Sequence, residues 1–385
     1  MAELGREEAE LQALGALWTA REISQQPAML RRTHTALVAD KAALDGFLRP
    51  LLDRPEMRVI LTGAGTSAFI GESLAPYLGA RLSCRVEAIA TTDLVAAPYL
   101  YFDREAVLLV SFGRSGDSPE SIAALDLADR FVRDLHHLAI TCNPQGALAC
   151  RVKTAGNGRT ILLPEETHDR SFAMTSSFSC MLFAALAALA GIDGMSARVE
   201  AMARAAEAVI ATQQAAMQRG AAKGYERVVY LGSHIFKGLA REAALKLLEM
   251  TDGGIVAIHD SPLGFRHGPK TIVNDRTLVV VFVSNHAYTR RYDLDLLDEL
   301  RRDGKALGLL AIAGREEGIP AGVEHIVMNG MADAEDVDLL IPFIAAPQMF
   351  AFEQAIDRGL SPDKPNKSGT VNRVVQGVRI HPVVP

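Results

Sequence analysis

Eight residues, Ser111-Phe-Gly-Arg-Ser-Gly-Asp-Ser118, gather three hydroxyls, one arginine and two glycines into a single turn. Such a set suits an anion: hydroxyls and a guanidinium donate to oxygen, and glycines let backbone N–H groups approach closely. Within the stretch Glu105–Glu120, the apolar run Val107 to Val110 reads as a buried strand. After Pro119 the spacing Ile122, Leu125, Ala128, Phe131 turns helical, with Ser118 or Asp117 as N-cap and Pro119 at the first helical position. The helix dipole would add its positive end at the same place, so a phosphate dianion is the natural guest. A cap without a ligand needs one hydroxyl, and this turn has three and an arginine.

Four further groupings could do chemistry. Gly63-Ala-Gly-Thr-Ser67 follows a strand and opens a helix. It begins like a dinucleotide fingerprint but lacks the third glycine in register, so a second hydroxyl-lined wall of the phosphate site fits better. Glu242, Lys246 and Glu249 fall at i, i+4 and i+7, on one face of a helix whose other residues are largely Ala and Leu. On an exposed helix these would be ordinary salt bridges. In a helix with little surface to spare, a carboxylate beside a lysine is equipment for proton transfer next to a carbonyl. Ser261-Pro-Leu-Gly-Phe-Arg-His267-Gly-Pro-Lys270 displays a histidine between two cations on a loop constrained by prolines. Asp363-Lys-Pro-Asn-Lys367-Ser-Gly-Thr370 sets a lysine in an irregular tail.

Composition narrows the class. The chain has 385 residues, 49% of them hydrophobic, with a net charge of −6. That is the profile of a soluble globular protein without a basic surface for nucleic acid. Any anion site must therefore be local. The acidic start is unlike a signal peptide, and the apolar run Met181 to Ala190 is too short to span a bilayer. The four cysteines (Cys84, Cys142, Cys150, Cys180) form no CxxC pair, which suggests reduced thiols in the cytoplasm. The ten histidines show no zinc-ligand spacing, so no metal is expected.

The elements that must position these residues alternate. Strands are expected at Arg58–Thr62, Arg85–Ala90, Val107–Val110, His137–Cys142 and Thr160–Leu163, with helices at Ser67–Leu82 and Ser171–Ala190. A second round follows a polar helix over Ala197–Arg219. Its strands are expected at Arg227–Leu231, Gly254–Ile258, Thr277–Val283, Leu307–Ile312 and His325–Met328. Its helices are expected at Phe236–Met250, Asp293–Arg302 and Leu339–Gly359. The alternation predicts an α/β fold of two similar doubly wound parallel sheets, with ligands beyond the carboxyl ends of the strands. The expected division is a helical segment over 1–45, broken near Pro27, and a first, phosphate-binding domain over 46–195. A linker helix over 196–220, a second domain over 221–355 and an irregular tail over 356–385 follow. The second round repeats the strand-glycine-hydroxyl-helix pattern at Val228–His234 but has no Arg-Ser-Gly-Asp-Ser turn.

Taken together, these motifs resemble the sugar isomerase (SIS) family, in detail the isomerase half of glucosamine-6-phosphate synthase. Its Cys-Gly-Thr-Ser is similar to Ala64-Gly-Thr-Ser67, and its Ser-Gln-Ser-Gly-Glu-Thr to Gly113-Arg-Ser-Gly-Asp-Ser118. Its Leu-Lys-Leu-Lys-Glu resembles Leu245-Lys-Leu-Leu-Glu249, and its Lys-His-Gly-Pro resembles Arg266-His-Gly-Pro269. Its Ala-Lys-Ser-Val-Thr-Val resembles Asn366-Lys-Ser-Gly-Thr-Val371. The resemblance implies paired flavodoxin-like domains and a phosphosugar substrate, with no cofactor. It places Gly65, Thr66, Ser67, Arg114, Ser115, Gly116 and Ser118 on the phosphate, and the backbone at Ala173 against the sugar. Glu249 would move a proton between C1 and C2, and His267 would assist ring opening, in one version from a neighbouring subunit of a homodimer or larger homo-oligomer. Lys246 would orient or polarise near the anomeric carbon, and Lys367 would close over the sugar.

The departures shape the functional expectation. Gly113 stands where the synthase has a serine, and no cysteine follows Met1 to serve a glutaminase. Within the family, Ser-Phe-Gly-Arg-Ser-Gly-Asp-Ser and Ser-Phe-Ala-Met-Thr-Ser-Ser-Phe178 resemble the AgaS group. The resemblance implies isomerising deamination of an amino-sugar 6-phosphate, with galactosamine 6-phosphate giving tagatose 6-phosphate and ammonia. The alternatives are aldose–ketose isomerisation of tagatose 6-phosphate, deamination of glucosamine 6-phosphate, and a sensor that binds without turnover. No nucleic-acid or membrane partner is expected.

Overall fold

The computed structural model describes residues 3–102, 106–375 and 377–383. Glu105, which opens the stretch singled out above, lies outside the described residues, as do the outermost positions of the helical segment and the tail.

The chain divides into two compact units. One comprises Met29–Asp169, Ser176–Ser196 and Ser368–Pro385. It holds a five-stranded sheet of β1 (Arg58–Thr62), β2 (Arg85–Ala88), β3 (Ala106–Gly113), β4 (Asp134–Thr141) and β5 (Gly158–Leu162). The other comprises Met1–Ala28, Arg170–Thr175 and Ala197–Lys367. Its sheet has β6 (Arg227–Gly232), β7 (Val256–Asp260), β8 (Thr277–Val283), β9 (Gly308–Ala313) and β10 (Glu324–Val327).

Both sheets are parallel throughout and share one topology, β2-β1-β3-β4-β5 in the first and β7-β6-β8-β9-β10 in the second. The order reverses between β1 and β3, and again between β6 and β8. Those are the positions where a doubly wound sheet opens a crevice at its carboxyl edge. The central strands β1, β3 and β8 are buried at every residue, as strands covered on both faces must be. On one face of the first sheet, Ile60, Leu109, Leu125 and Leu148 share a core. In the second, Val229, Phe265, Val281 and Leu296 do the same.

Several boundaries differ from the sequence expectation for identifiable reasons. The helix expected from Ser171 begins at Ser176, because Asp169 supplies the cap: its carboxylate accepts from Ser176 Oγ at 2.5 Å and Ser177 N at 2.9 Å. The break expected near Pro27 is present at Gln25, between the helices Leu17–Ser24 and Gln26–Ala39; Pro27 sits in the first turn of the second, where its missing N–H costs nothing. The polar helix expected over Ala197–Arg219 is two, Met195–Thr212 and Gln214–Ala221, with Gln213 out of helical geometry between them. The helix Asp336–Asp357 is long and apolar enough to cross a membrane. Its most apolar window is 94% buried inside the protein, as befits a core helix. The sequence pattern left Thr91–Ala96 and Ala147–Ala155 unassigned, although both are helical.

Candidate active site

In the β1–β5 unit, two turns meet at the reversal of strand order. Thr62 pairs with Ser111, so the turns that leave β1 and β3 emerge side by side. Glycine is required at the first for two reasons. A Cβ on Gly63 would lie 2.5 Å from Ser67 Cβ, too close for the helix Thr66–Gly79 to start there. Gly65 has φ 56° and ψ −129°, a conformation that L side chains rarely adopt. No side chain caps this helix, and Thr66 and Ser67 are buried at its mouth.

The second turn is held from outside. Ser118 is the N-cap of the helix Pro119–Phe131, accepting from Ser121 N at 3.3 Å. Asp117, the other candidate for that cap, instead accepts from Ala147 N at 2.9 Å and so caps the neighbouring helix Ala147–Ala155. The carbonyl of Ser115 accepts from Asn143 Nδ2 at 2.9 Å, and that of Gly116 from Leu148 N at 2.9 Å. Gly146 packs so tightly that an added Cβ would sit 2.2 Å from the Ser115 carbonyl oxygen. Arg114 is buried, and Ser115 is half-buried. Two helix N-termini, the hydroxyls of Thr66, Ser67, Ser115 and Ser118 and the Arg114 guanidinium thus belong to two turns at one crevice edge, a set of donors suited to an anion. The sequence pointed to the turn but not to its braces Asn143, Gly146 and Asp117; Asn143-Pro144 and Gly146 were the available signal.

The β6–β10 unit handles the equivalent crevice differently. Gly232 makes the same close approach as Gly63, but His234, with φ 47°, stands where Gly65 does in the first unit. Asp293 accepts from Ser233 Oγ at 2.5 Å and Ser284 N at 2.9 Å, and Asp336 accepts from Asn285 N at 2.7 Å. The protein's own carboxylates take the donors that a bound anion would use. Burial pushes the Asp293 carboxyl up to about 7, with Asp336 adding to the shift while Ser233, Ser284 N and Arg290 oppose it. An unfolded aspartate loses its proton near pH 3.9. Between that value and about 7 the folded protein keeps a proton that the unfolded chain has lost, so this group's contribution to stability falls as pH rises through the window. Asp293→Asn is expected to flatten that decline in urea unfolding between pH 5 and 8. A slope equal to that of the wild type would contradict the assignment.

The remaining candidate residues lie in this second unit. Glu242 and Lys246 have no exposed surface, while Glu249 is one turn further along the helix Ile235–Met250 and partly open. The Lys246 ammonium donates to Glu249 Oε2 and lies 3.5 Å from Glu242 Oε1. Beyond the helix, Asp252 (φ 49°) accepts from Asn366 Nδ2 at 2.7 Å, which fixes the chain just before Lys367 near the helix end. That chain is pinned a second time: the Asp363 carboxylate accepts from Trp18 N at 3.1 Å and Thr19 N at 2.7 Å, capping the helix Leu17–Ser24. The Asp363 carbonyl accepts from Phe172 N at 3.1 Å, beside the buried Ala173. The structure therefore connects Ala173, Lys367 and the end of the Glu249 helix through residues 363–366, while the Lys367 side chain itself is exposed.

His267 is not joined to this group. It is exposed on the loop after the short helix Pro262–Phe265. Its flanking cations are committed to Glu299, which accepts from Arg266 Nε at 2.8 Å and from Lys270 Nζ. Among the described residues no side-chain hydrogen bond holds the imidazole.

Twin doubly wound sheets, a hydroxyl-and-arginine turn at one reversal of strand order and a buried carboxylate–lysine helix define a class of phosphosugar-binding proteins. The SIS domain model matches residues 52–191. The chain belongs to the SIS family, within its AgaS-type group. D-galactosamine-6-phosphate deaminase AgaS of Escherichia coli is 48% identical over 369 residues, spanning 95% of this chain and 96% of that protein. The crystal structure of tagatose-6-phosphate ketose/aldose isomerase from Escherichia coli is similar at a TM-score of 0.88 and 44% identity, covering 95% and 97% of the two chains. A crystal structure from Clostridium novyi NT reaches a TM-score of 0.96 at 39% identity, with both chains fully covered.

Proposed function

We propose that this chain converts D-galactosamine 6-phosphate to D-tagatose 6-phosphate and ammonia. The observation that carries the reading is the Lys246–Glu249 pair: a wholly buried ammonium holds one face of a carboxylate whose other side is open. That is the arrangement of a base fixed in aim and reachable by substrate.

In the proposed reaction the ring opens to the aldehyde, with His267 relaying the proton. Glu249 removes the proton from C2, and the electron pair forms the C1–C2 double bond of an enolamine as O1 is protonated. Glu249 returns the proton to C1, which leaves an imine at C2. Water adds to that carbon, the C2–N bond breaks, and ammonia leaves with the ketose. Carbon 1 is reduced and C2 oxidised within one molecule, so the reaction balances without an external oxidant or reductant. Lys246 acts as a positioning residue through Glu249, because its burial keeps it from the surface. Gly65, Thr66, Ser67, Arg114, Ser115, Gly116 and Ser118 hold the phosphate. The Ala173 backbone and Lys367 meet the sugar. Binding at the phosphate, remote from C1 and C2, holds the open chain near its reactive geometry.

The exposure of His267 on a braced loop supports its working across a homo-oligomer interface. Four unpaired cysteines support a cytoplasmic setting.

The second reading is aldose–ketose isomerisation without ammonia release, favoured by the similarity to the tagatose-6-phosphate ketose/aldose isomerase from Escherichia coli. The same base serves both reactions. Ammonia release from galactosamine 6-phosphate and glucosamine 6-phosphate, measured beside tagatose 6-phosphate isomerisation, separates them. Ammonia from galactosamine 6-phosphate is the expected result. Isomerisation with no ammonia from either amino sugar would overturn the deaminase reading.

A further inference from the structure

The phosphate turn has a partner far along the chain. Arg114 Nη2 donates to the backbone carbonyl of Arg373 at 2.8 Å, across 259 residues of sequence. The Arg373 guanidinium in turn donates to the carbonyl of Asp169, from Nε at 3.1 Å and from Nη2. The carboxylate of Asp169 is occupied elsewhere, on the N-terminus of the helix Ser176–Ala190. A continuous line of contacts thus runs from that helix through Asp169 and Arg373 to Arg114. Further on, the tail lies against the helix that follows the turn, where Arg130 Nη1 donates to the Val383 carbonyl at 2.9 Å.

The charge at this point is unusual. Both contacts of the Arg373 guanidinium go to one neutral carbonyl, and among the described residues it makes no ion pair. It is half-buried, in the same neighbourhood as the buried Arg114. His168 senses both: burial and then the charges of Arg373 and Arg114 push its imidazole below the usual histidine range. Two guanidinium groups close enough to act on the same imidazole, one of them without a carboxylate, are expensive to desolvate. A dianion between or beside them relieves that cost.

We propose that Arg373 is a positioning residue of the phosphate site. From the tail it holds Arg114 in place, and it adds its own unneutralised charge to the cradle. This rests on the phosphate reading of the turn.

Inorganic phosphate is the probe, because its binding depends on neither the sugar nor turnover. Calorimetric titration and steady-state kinetics would be run on the full-length protein and three variants: Arg373→Ala, Arg373→Gln and Arg373→Lys. The glutamine keeps a donor for the Asp169 carbonyl and removes the charge, while the lysine keeps the charge without the fork. Phosphate affinity is expected to fall about tenfold or more in Arg373→Ala and Arg373→Gln, the loss of a charge-assisted contact. KM should rise in parallel with kcat within about threefold, as for an interaction shared by ground and transition states. Arg373→Lys should recover most of the affinity, which shows that the other two report charge rather than misfolding. Wild-type phosphate affinity in Arg373→Gln would overturn the proposal, and so would a drop in Arg373→Lys as large as in Arg373→Ala. A wild-type protein that does not bind phosphate would instead overturn the phosphate reading beneath it.

Discussion

Glu249→Gln is expected to lower kcat by about 10²–10⁴-fold, the range by which a positioned general base accelerates proton transfer. The substitution is nearly isosteric, and its amide oxygen still accepts from the Lys246 ammonium, so the helix Ile235–Met250 should keep its packing. What disappears is the ability to accept the C2 proton. Phosphosugar binding, measured by calorimetry, should therefore stay within a few-fold of the wild type. A second measurement isolates the step. In deuterium oxide the wild-type protein should wash solvent deuterium into the substrate carbon, and the variant should not. A variant that turned over within tenfold of the wild type, or still exchanged deuterium, would remove Glu249 from the role of base.

The largest expected effect on stability is at Lys246. Its side chain has no exposed surface, and neither has that of Glu242 one turn away. Removing one partner from a buried ion pair leaves a charge in a medium that solvates it poorly, at a cost of about 3–5 kcal/mol. Lys246→Met, which fills similar volume without the charge, should lose about that much in urea unfolding. Its activity should fall as well, because Glu249 loses the group that aims it. Neutralising the other member should reverse part of the damage: Glu242→Gln combined with Lys246→Met should be more stable than Lys246→Met alone. The double-mutant cycle should give a coupling above about 1 kcal/mol. A Lys246→Met protein within about 1 kcal/mol of the wild type would mean that the triad is not a buried charge cluster in solution.

The sequence disclosed these parts unevenly, and the physics explains the division. The strands β1 and β8 match their expected limits to the residue because both are central and apolar on both faces. The strand β2 stops two residues short of expectation; it lies at the sheet edge, where burial is partial and the apolar pattern weakens. The turn at Ser111–Ser118 was legible because its chemistry is contiguous, and the Glu242–Lys246–Glu249 triad because helical spacing keeps it on one face. What stayed hidden were contacts between distant positions. Asp363 caps a helix 345 residues away at Trp18, and Arg373 meets Arg114 across 259. No local periodicity encodes such a pairing. Ala16 gave a faint hint at one of them: a residue without a capping side chain at a helix start requires a cap from elsewhere.

The aspartates lodged at the reversal between β6 and β8 bear on how the protein responds to substrate concentration. A chain built from two like sheets would otherwise offer two like receptors for an anion, and they would compete or cooperate within one molecule. Asp293 and Asp336 occupy the donors of the second, so the phosphate reading proposed above predicts one anion bound per chain. On that reading, saturation by phosphosugar within a single chain is expected to follow a simple hyperbola, and a sigmoidal response would have to arise between chains.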